Sequence, residues 1–243
     1  MVKLTIDNKQ VEIEDGATIL AAAIKAGIHI PTLCYNEELT PAGACRLCVV
    51  EIVSEKDPVT VSSCNYPVGE GMIVSTTSEA VIKARRIAIE VLLAQNPNSS
   101  IIKKIAGSLG IEAGRFTIGK DCSHGCILCR LCVRTCQEVV GLSAITFEAQ
   151  GLERDNNGAH VAWDEEACIA CGSCAFVCPT DAVTTVDEGD KRIIQTPTAK
   201  MVFALKACTK CGSYYAPEKQ LAYMAKTANL PLEKFDLCMD CRD

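Results

Sequence analysis

An α+β chain built of several small domains in series is the fold class this sequence predicts, on three observations. Sixteen of its 17 cysteines fall into four quartets with metal-ligand spacing. Short segments of apolar/polar alternation share the chain with short segments of helical period. One cysteine motif occurs twice, 42 residues apart. At 243 residues the chain is too long for one small metal-binding module and too short for three or four of them plus a catalytic domain. The cysteines inflate its 49% hydrophobic content, and aromatics are only 5%, so no single large core is expected and bound metal must supply much of the folding free energy.

Val2–Ile6 and Gln10–Glu14 alternate around Asp7-Asn8-Lys9 and predict a β-hairpin. Thr18–Ala26 predicts a short helix, ended by Gly27 with Pro31 just beyond. Strand, strand, helix and a cysteine loop together predict a β-grasp ferredoxin domain over residues 1–77, with further strands at Val49–Val53, Thr60–Ser63 and Met72–Ser75. Thr76-x-x-Glu79 has the form of a capping box and opens a helix running to about Gln95, with apolar positions at Ala80, Ile87, Val91 and Ala94. Ser99–Leu109 predicts a second amphipathic helix closed by Gly110, so residues 78–120 form a helical spacer. Strands at Ile145–Glu148, His160–Trp163 and Val183–Val186 surround the repeated motif and mark a two-cluster domain over 121–190. Lys191–Gln195 and Ala199–Leu205 are closing strands, and a helix near Pro217–Thr227, with Glu218 where the helix dipole favours an acid, is bracketed by the last quartet in a small module over 191–243.

Composition narrows the function classes. The odd cysteine count and the charged, alternating stretch Met1–Asp15 argue against a secreted disulfide scaffold and predict a reducing, cytoplasmic compartment. No apolar run approaches the roughly 18 residues that span a bilayer, so direct membrane insertion is not expected. The formal charge of −6 makes nucleic acid an unsuitable partner, and each oxidised all-cysteine cluster would add about −2. No Gly-x-Gly-x-x-Gly, Walker, Ser/His/Asp or paired-carboxylate arrangement occurs, so the chain is expected to bind neither NAD nor flavin and to be non-catalytic by itself.

The two central runs both read Cys-x2-Cys-x2-Cys-x3-Cys, the bacterial two-cluster ferredoxin pattern, in which the fourth cysteine of one run ligates the cluster held by the other. Crossed ligation assigns Cys126, Cys129, Cys132 and Cys178 to one [4Fe–4S] cluster and Cys168, Cys171, Cys174 and Cys136 to the other. Two zinc sites are the alternative, but zinc seldom takes three cysteines at this spacing. Gly172 permits close backbone approach in the second run, where the first has Arg130. The N-terminal quartet, Cys34-x10-Cys45-x2-Cys48-x15-Cys64, has a longer first gap than the plant-type [2Fe–2S] pattern. The last quartet, Cys208, Cys211, Cys238 and Cys241, forms two knuckles that suit either one zinc ion or a further [4Fe–4S] cluster. Cys122 is left over as a free thiol or an alternative ligand, His124 reads as a loop residue, and His29 packs.

Ile30-Pro31-Thr32-Leu33-Cys34, Gly43-Ala44-Cys45-Arg46-Leu47-Cys48-Val49-Val50-Glu51 and Ser63-Cys64 resemble the [2Fe–2S] domain that begins the complex I large iron–sulfur subunit. The same domain opens [FeFe]-hydrogenases, NAD-dependent formate dehydrogenases and the small diaphorase subunit of NAD-linked [NiFe]-hydrogenases. The resemblance continues through Ala84-Arg85-Arg86 and Cys126 to Glu138 and covers about the first 190 residues. It implies that Cys34, Cys45, Cys48 and Cys64 hold a [2Fe–2S] cluster. Its functional implication is a relay of electrons between a flavin- and NAD-binding diaphorase-type subunit and a catalytic subunit or ferredoxin. A free-standing polyferredoxin, the relay of another reductase, and a zinc-binding regulatory protein are the alternatives. Two features depart from the family. Residues 65–121 hold none of the His-x3-Cys-x2-Cys-x5-Cys ligands that many members place there, and no hydrogen-activating or molybdopterin domain is expected within the 243 residues.

Overall fold

The computed structural model describes residues 1–54, 57–112, 114–116, 125–148 and 159–242 and divides into two compact units, Met1–Arg130 and Leu131–Asp243. The architecture is mixed α/β.

In the first unit, β1 (Val2–Ile6) and β2 (Lys9–Ile13) form the expected hairpin. Asp7 and Asn8 turn it with φ values of 45° and 67°, the left-handed pair that a tight hairpin demands and that Asp and Asn tolerate. Helix α1 (Ile19–Lys25) starts at Thr18, whose hydroxyl accepts from the Ala21 N–H, and ends before Gly27, at φ 68°. Strands β3 (Val49–Ile52), β4 (Val59–Ser62) and β5 (Ile73–Ser75) complete a sheet of order β2-β1-β5-β3-β4. Within it β5 runs parallel to β1, through Thr5 with Ile73 and Ile6 with Val74, and antiparallel to β3. Leu4, Ile6, Ile19, Leu20, Val50 and Val74 fill the core between this sheet and α1. Each such side chain contributes about 1.5–3 kcal/mol on burial.

Helix α2 (Glu79–Gln95) corrects two sequence expectations. Its N-cap is Ser78, whose hydroxyl accepts from the Val81 N–H, because Thr76 is engaged elsewhere: its N–H and hydroxyl both donate to the Asp7 carboxylate. Its buried face is Val81, Arg85, Ile89, Glu90 and Leu92, whereas Ile87 is 42% exposed. Apolar residues occupy two faces of this helix, and the face that lies inward is the one on which Arg85 can bond to β3 and the turn before it. Glu90 is bound bidentately by Arg115, at 2.7 and 2.9 Å, and by Arg86 at 3.3 Å, and the Arg115 hydrogen bonds hold its carboxyl below the usual range. Helix α3 (Ser100–Ser108) follows, with Gly110 at φ 68° beyond its end.

In the second unit, α4 (Leu131–Arg134) runs into a π-helical turn, Thr135–Val139. Strands β6 (Ile145–Glu148) and β7 (His160–Trp163) pair antiparallel, and α5 (Ser173–Phe176) is one turn long. Strands β8 (Thr184–Glu188), β9 (Lys191–Gln195), β10 (Lys200–Ala207) and β11 (Tyr214–Pro217) form an antiparallel sheet of order β11-β10-β9-β8. Helix α6 (Glu218–Thr227) closes the chain's last module, where Leu221, Ala225 and Phe235 form a small buried cluster against which Tyr215 and Ala216 pack. Among the described residues no helix is long and apolar enough to cross a membrane.

Candidate functional site

The N-terminal quartet is built by a loop and a strand end. Cys34, Cys45 and Cys48 lie between α1 and β3, and Cys64 lies just after β4; their exposures are 1%, 6%, 1% and 1%. Gly43 and Arg46, at φ 62° and 59°, coil the loop. The thiols approach in two pairs. Cys48 and Cys64 Sγ are 3.3 Å apart, and Cys45 is hydrogen-bonded to Cys34, whose Sγ also accepts the Cys45 N–H at 3.4 Å. The hydrogen bond between Cys48 and Cys64 pushes Cys48 down to about 6, while that same bond, with burial, holds Cys64 up. Two buried thiolate pairs facing one another repel strongly unless cations lie between them, and two pairs are what a binuclear centre requires. The donor set therefore fits such a centre. Ser63 braces the loop by donating its hydroxyl and N–H to the Cys48 carbonyl, at 2.7 and 3.1 Å, and Arg85 donates to the Leu47 and Val49 carbonyls, at 3.1 and 2.8 Å.

The central repeat extends to the backbone. Leu128 and Arg130 of the first run have φ 53° and 60°, and Ala170 and Gly172 at the same places in the second have 59° and 80°. This left-handed pair turns an N–H toward sulfur in each run: Leu128 N–H to Cys126 Sγ at 3.5 Å, and Ala170 N–H to Cys168 Sγ at 3.4 Å. Arg130 thus adopts the conformation that glycine provides in the second run, at a steric cost that glycine avoids.

In the second unit, Cys136, Cys168, Cys171 and Cys174 line one cavity with Ile145 and Ile194. The π-helical turn brings Cys136 there, the loop into α5 brings Cys168 and Cys171, and α5 itself brings Cys174. Burial, followed by Cys168 and Cys171, pushes the Cys174 thiol up to about 12. A low-dielectric wall lined by four thiols suits a multinuclear cluster whose irons would neutralise the thiolates. Arg192, paired with Asp187, donates to the Ala170 carbonyl at 3.1 Å. Of the remaining quartet, Cys126 and Cys129 fall in the first unit and Cys132 and Cys178 in the second. Cys122 and His124 lie outside the described residues.

The C-terminal quartet is geometrically distinct. The Sγ atoms of Cys208, Cys211, Cys238 and Cys241 lie within 4.8 Å of one another, the one such convergence of His, Cys, Asp or Glu ligand atoms among the described residues. Cys211 and Cys238 Sγ are 3.8 Å apart, which is the edge, about 3.8 Å, of a tetrahedron with metal–sulfur bonds of about 2.3 Å. A cubane would interpose its own edges and hold the sulfurs farther apart. The N–H groups of Cys238 and Cys211 push Cys208 down to about 6, whereas the hydrogen bond to Cys238 holds Cys241 up, to about 12. Gly212 at φ 75° turns the first knuckle, and Thr209 donates its N–H and hydroxyl to the Asp236 carbonyl, bringing the second knuckle against it. Tyr223 of α6 donates to the Val140 carbonyl at 3.0 Å, tying this module to the turn that carries Cys136.

Residues 1–79 match the 2Fe-2S iron-sulfur cluster binding domain family, and residues 125–182 match the 4Fe-4S dicluster domain family. The alpha subunit of the NADPH-Fe(3+) oxidoreductase of Geobacter sulfurreducens is 32% identical over 207 residues, 74% of this chain and 24% of that protein. The mitochondrial NADH-ubiquinone oxidoreductase 78 kDa subunit of Neurospora crassa is 34% identical over 208 residues, 76% and 27% respectively. The NADP-reducing hydrogenase subunit HndD of Solidesulfovibrio fructosivorans is 33% identical over 211 residues, 75% and 36% respectively. The chain thus spans about a quarter to a third of the length of these relatives. Among solved structures, a chain of an NAD+-reducing [NiFe]-hydrogenase in its H2-reduced state matches with a TM-score of 0.52 and 31% identity, over 62% of this chain and 71% of that one.

Proposed function

The chain belongs to the family that contains the complex I large iron–sulfur subunit and the small diaphorase subunit of NAD-linked hydrogenases, and from that membership we propose that it is the electron-relay subunit of an NAD(P)H-linked oxidoreductase. The observation that carries this reading is a chain with four cysteine quartets, three of them at iron–sulfur spacing. Its partners are a flavin- and NAD-binding diaphorase-type subunit on one side and a catalytic subunit or ferredoxin on the other. The bound clusters supply one-electron carriers.

The rest is the work of the protein's own residues. In this reading residues 1–77 are a β-grasp domain in which Cys34, Cys45, Cys48 and Cys64 hold [2Fe–2S]; parallel pairing of β1 with β5 and α1 packed on the sheet support it. Residues 78–120 are the helical spacer, and residues 121–190 are the two-cluster domain. There Cys136, Cys168, Cys171 and Cys174 take one [4Fe–4S] cluster, supported by their shared cavity. Cys126, Cys129, Cys132 and Cys178 take the other, an assignment resting on the spacing of the two runs. Residues 191–243 are a structural module in which Cys208, Cys211, Cys238 and Cys241 take a single zinc ion, the close sulfur tetrahedron being the support. Burial keeps water from the N-terminal sulfurs, and backbone N–H groups stabilise the charge of the others.

Anaerobic iron, sulfide and zinc analysis tests the reading. One binuclear and two tetranuclear clusters require about 10 iron atoms per chain, with one zinc. About 14 iron atoms and no zinc would replace the zinc site by a fourth cluster. Zinc throughout with almost no iron would end the relay reading. Retention of a flavoprotein on the tagged chain separates the relay subunit from a free-standing polyferredoxin.

A further inference from the structure

We propose that Arg85 supplies the buried positive charge that balances the N-terminal cluster and holds its reduction potential up. The inference rests on the reading that Cys34, Cys45, Cys48 and Cys64 hold [2Fe–2S].

Arg85 sits in the apolar stripe of α2, between Val81 and Ile89, where a helix facing a core ordinarily carries an aliphatic residue. It is 7% exposed. Among the described residues no carboxylate comes within salt-bridge distance of its guanidinium. Asp7 acts on it only at longer range, and the Asp7 carboxylate already accepts both donors of Thr76. A buried charge with no counter-charge is costly enough that proteins pair it or neutralise it, and a guanidinium does not give up its proton. Its hydrogen bonds go to the Leu47 and Val49 carbonyls, the residues on either side of Cys48. Burial pulls Arg85 below its ordinary value, and the strongest opposing influence is Cys48, ahead of Asp7. The missing negative charge is therefore that of the thiolate-ligated centre.

Bracing the loop would not in itself call for a full charge, since a neutral amide donor bonds a carbonyl as well. Arg192 provides the internal contrast. It grips the corresponding loop of the second run through the Ala170 carbonyl, but its charge is taken up by Asp187, at 2.7 Å. A fixed positive charge stabilises the reduced, more negative centre over the oxidised one, so its removal makes the centre harder to reduce.

The test is an EPR-monitored redox titration of the cluster-loaded full chain carrying Arg85→Met, Arg85→Lys or Arg192→Met. In Arg85→Met the reduction equilibrium of the binuclear centre should fall at least tenfold, a shift of about 59 mV or more to lower potential. In Arg85→Lys the charge remains, so the potential should stay near that of the unsubstituted chain even where thermal stability drops. In Arg192→Met the binuclear potential should not move. An unchanged potential in Arg85→Met with an intact signal overturns the proposal. If Arg85→Met does not fold, a shift as large as tenfold in Arg85→Lys overturns it, and retention of the potential supports it. Absence of a binuclear signal from the unsubstituted chain would instead refute the cluster reading beneath it.

Discussion

Replacing Cys238 with serine should open the C-terminal module while leaving the cysteine centres upstream loaded. Cys238 is 5% exposed and stands 3.8 Å from Cys211 Sγ, so serine removes one corner of the sulfur tetrahedron. A zinc ion held as proposed would cross-link positions 208 and 238, closing a loop of roughly 30 residues, which in chain-entropy terms is worth about 3.5 kcal/mol. The two large side chains of the small cluster beside α6, Leu221 and Phe235, contribute about 1.5–3 kcal/mol each, so the cross-link matches either of them or exceeds it. Loss of the metal should therefore raise the local opening equilibrium of α6 roughly 400-fold. Hydrogen exchange at the α6 amides reads this directly, and iron content should stay at about 10 atoms per chain. Wild-type protection of α6 in a zinc-free Cys238→Ser chain would refute the argument that the ion holds this module together.

Two further outcomes follow from the first unit. Glu90 has its native pKa depressed by Arg115, so its contribution to stability is complete above the ordinary carboxylate value and is lost as pH falls through the lower native one. Glu90→Gln should therefore be less stable than the unsubstituted chain at neutral pH and converge on it in acid, and a constant difference in denaturant midpoint across that range would contradict this. Arg130 holds φ 60° where the second run has glycine, so Arg130→Gly should gain up to about 1 kcal/mol, seen as a Tm rise of about 2–4 °C; a lowered Tm would show that the Arg130 side chain contributes more than its backbone costs.

Much of the scaffold is legible in the sequence where local chemistry decides it. Asp7-Asn8 marks the hairpin and Gly27 the end of α1, because left-handed backbone narrows the choice of residue. The strands between residues 145 and 195 follow alternation to within two residues. What escapes is set by distant partners. Thr76 has the look of a cap, but Asp7, 69 positions away, claims it. The buried face of α2 turns on Arg85, a residue that periodicity scores as solvent-exposed, because its bonds are to carbonyls 36 and 38 positions away. The cysteine groups are read from spacing alone, but spacing does not distinguish a single ion from a cubane at the last quartet, and the close approach of its sulfurs is what supports the proposed single ion. The π-helical turn that aims Cys136 has no local signature at all.

The parallel pairing of β1 with β5 imposes an order on synthesis. Thr5 and Ile6 cannot find Ile73 and Val74 until some 70 further residues have left the ribosome, roughly 3–15 s at ordinary elongation rates. All four N-terminal cysteines are made within that interval. The nascent hairpin therefore has an unpaired edge until β5 emerges, and under the proposed cluster reading all four ligands are made before the sheet can close. Limiting iron should for that reason deplete newly made chains, through proteolysis of this open form, before it strips those already assembled.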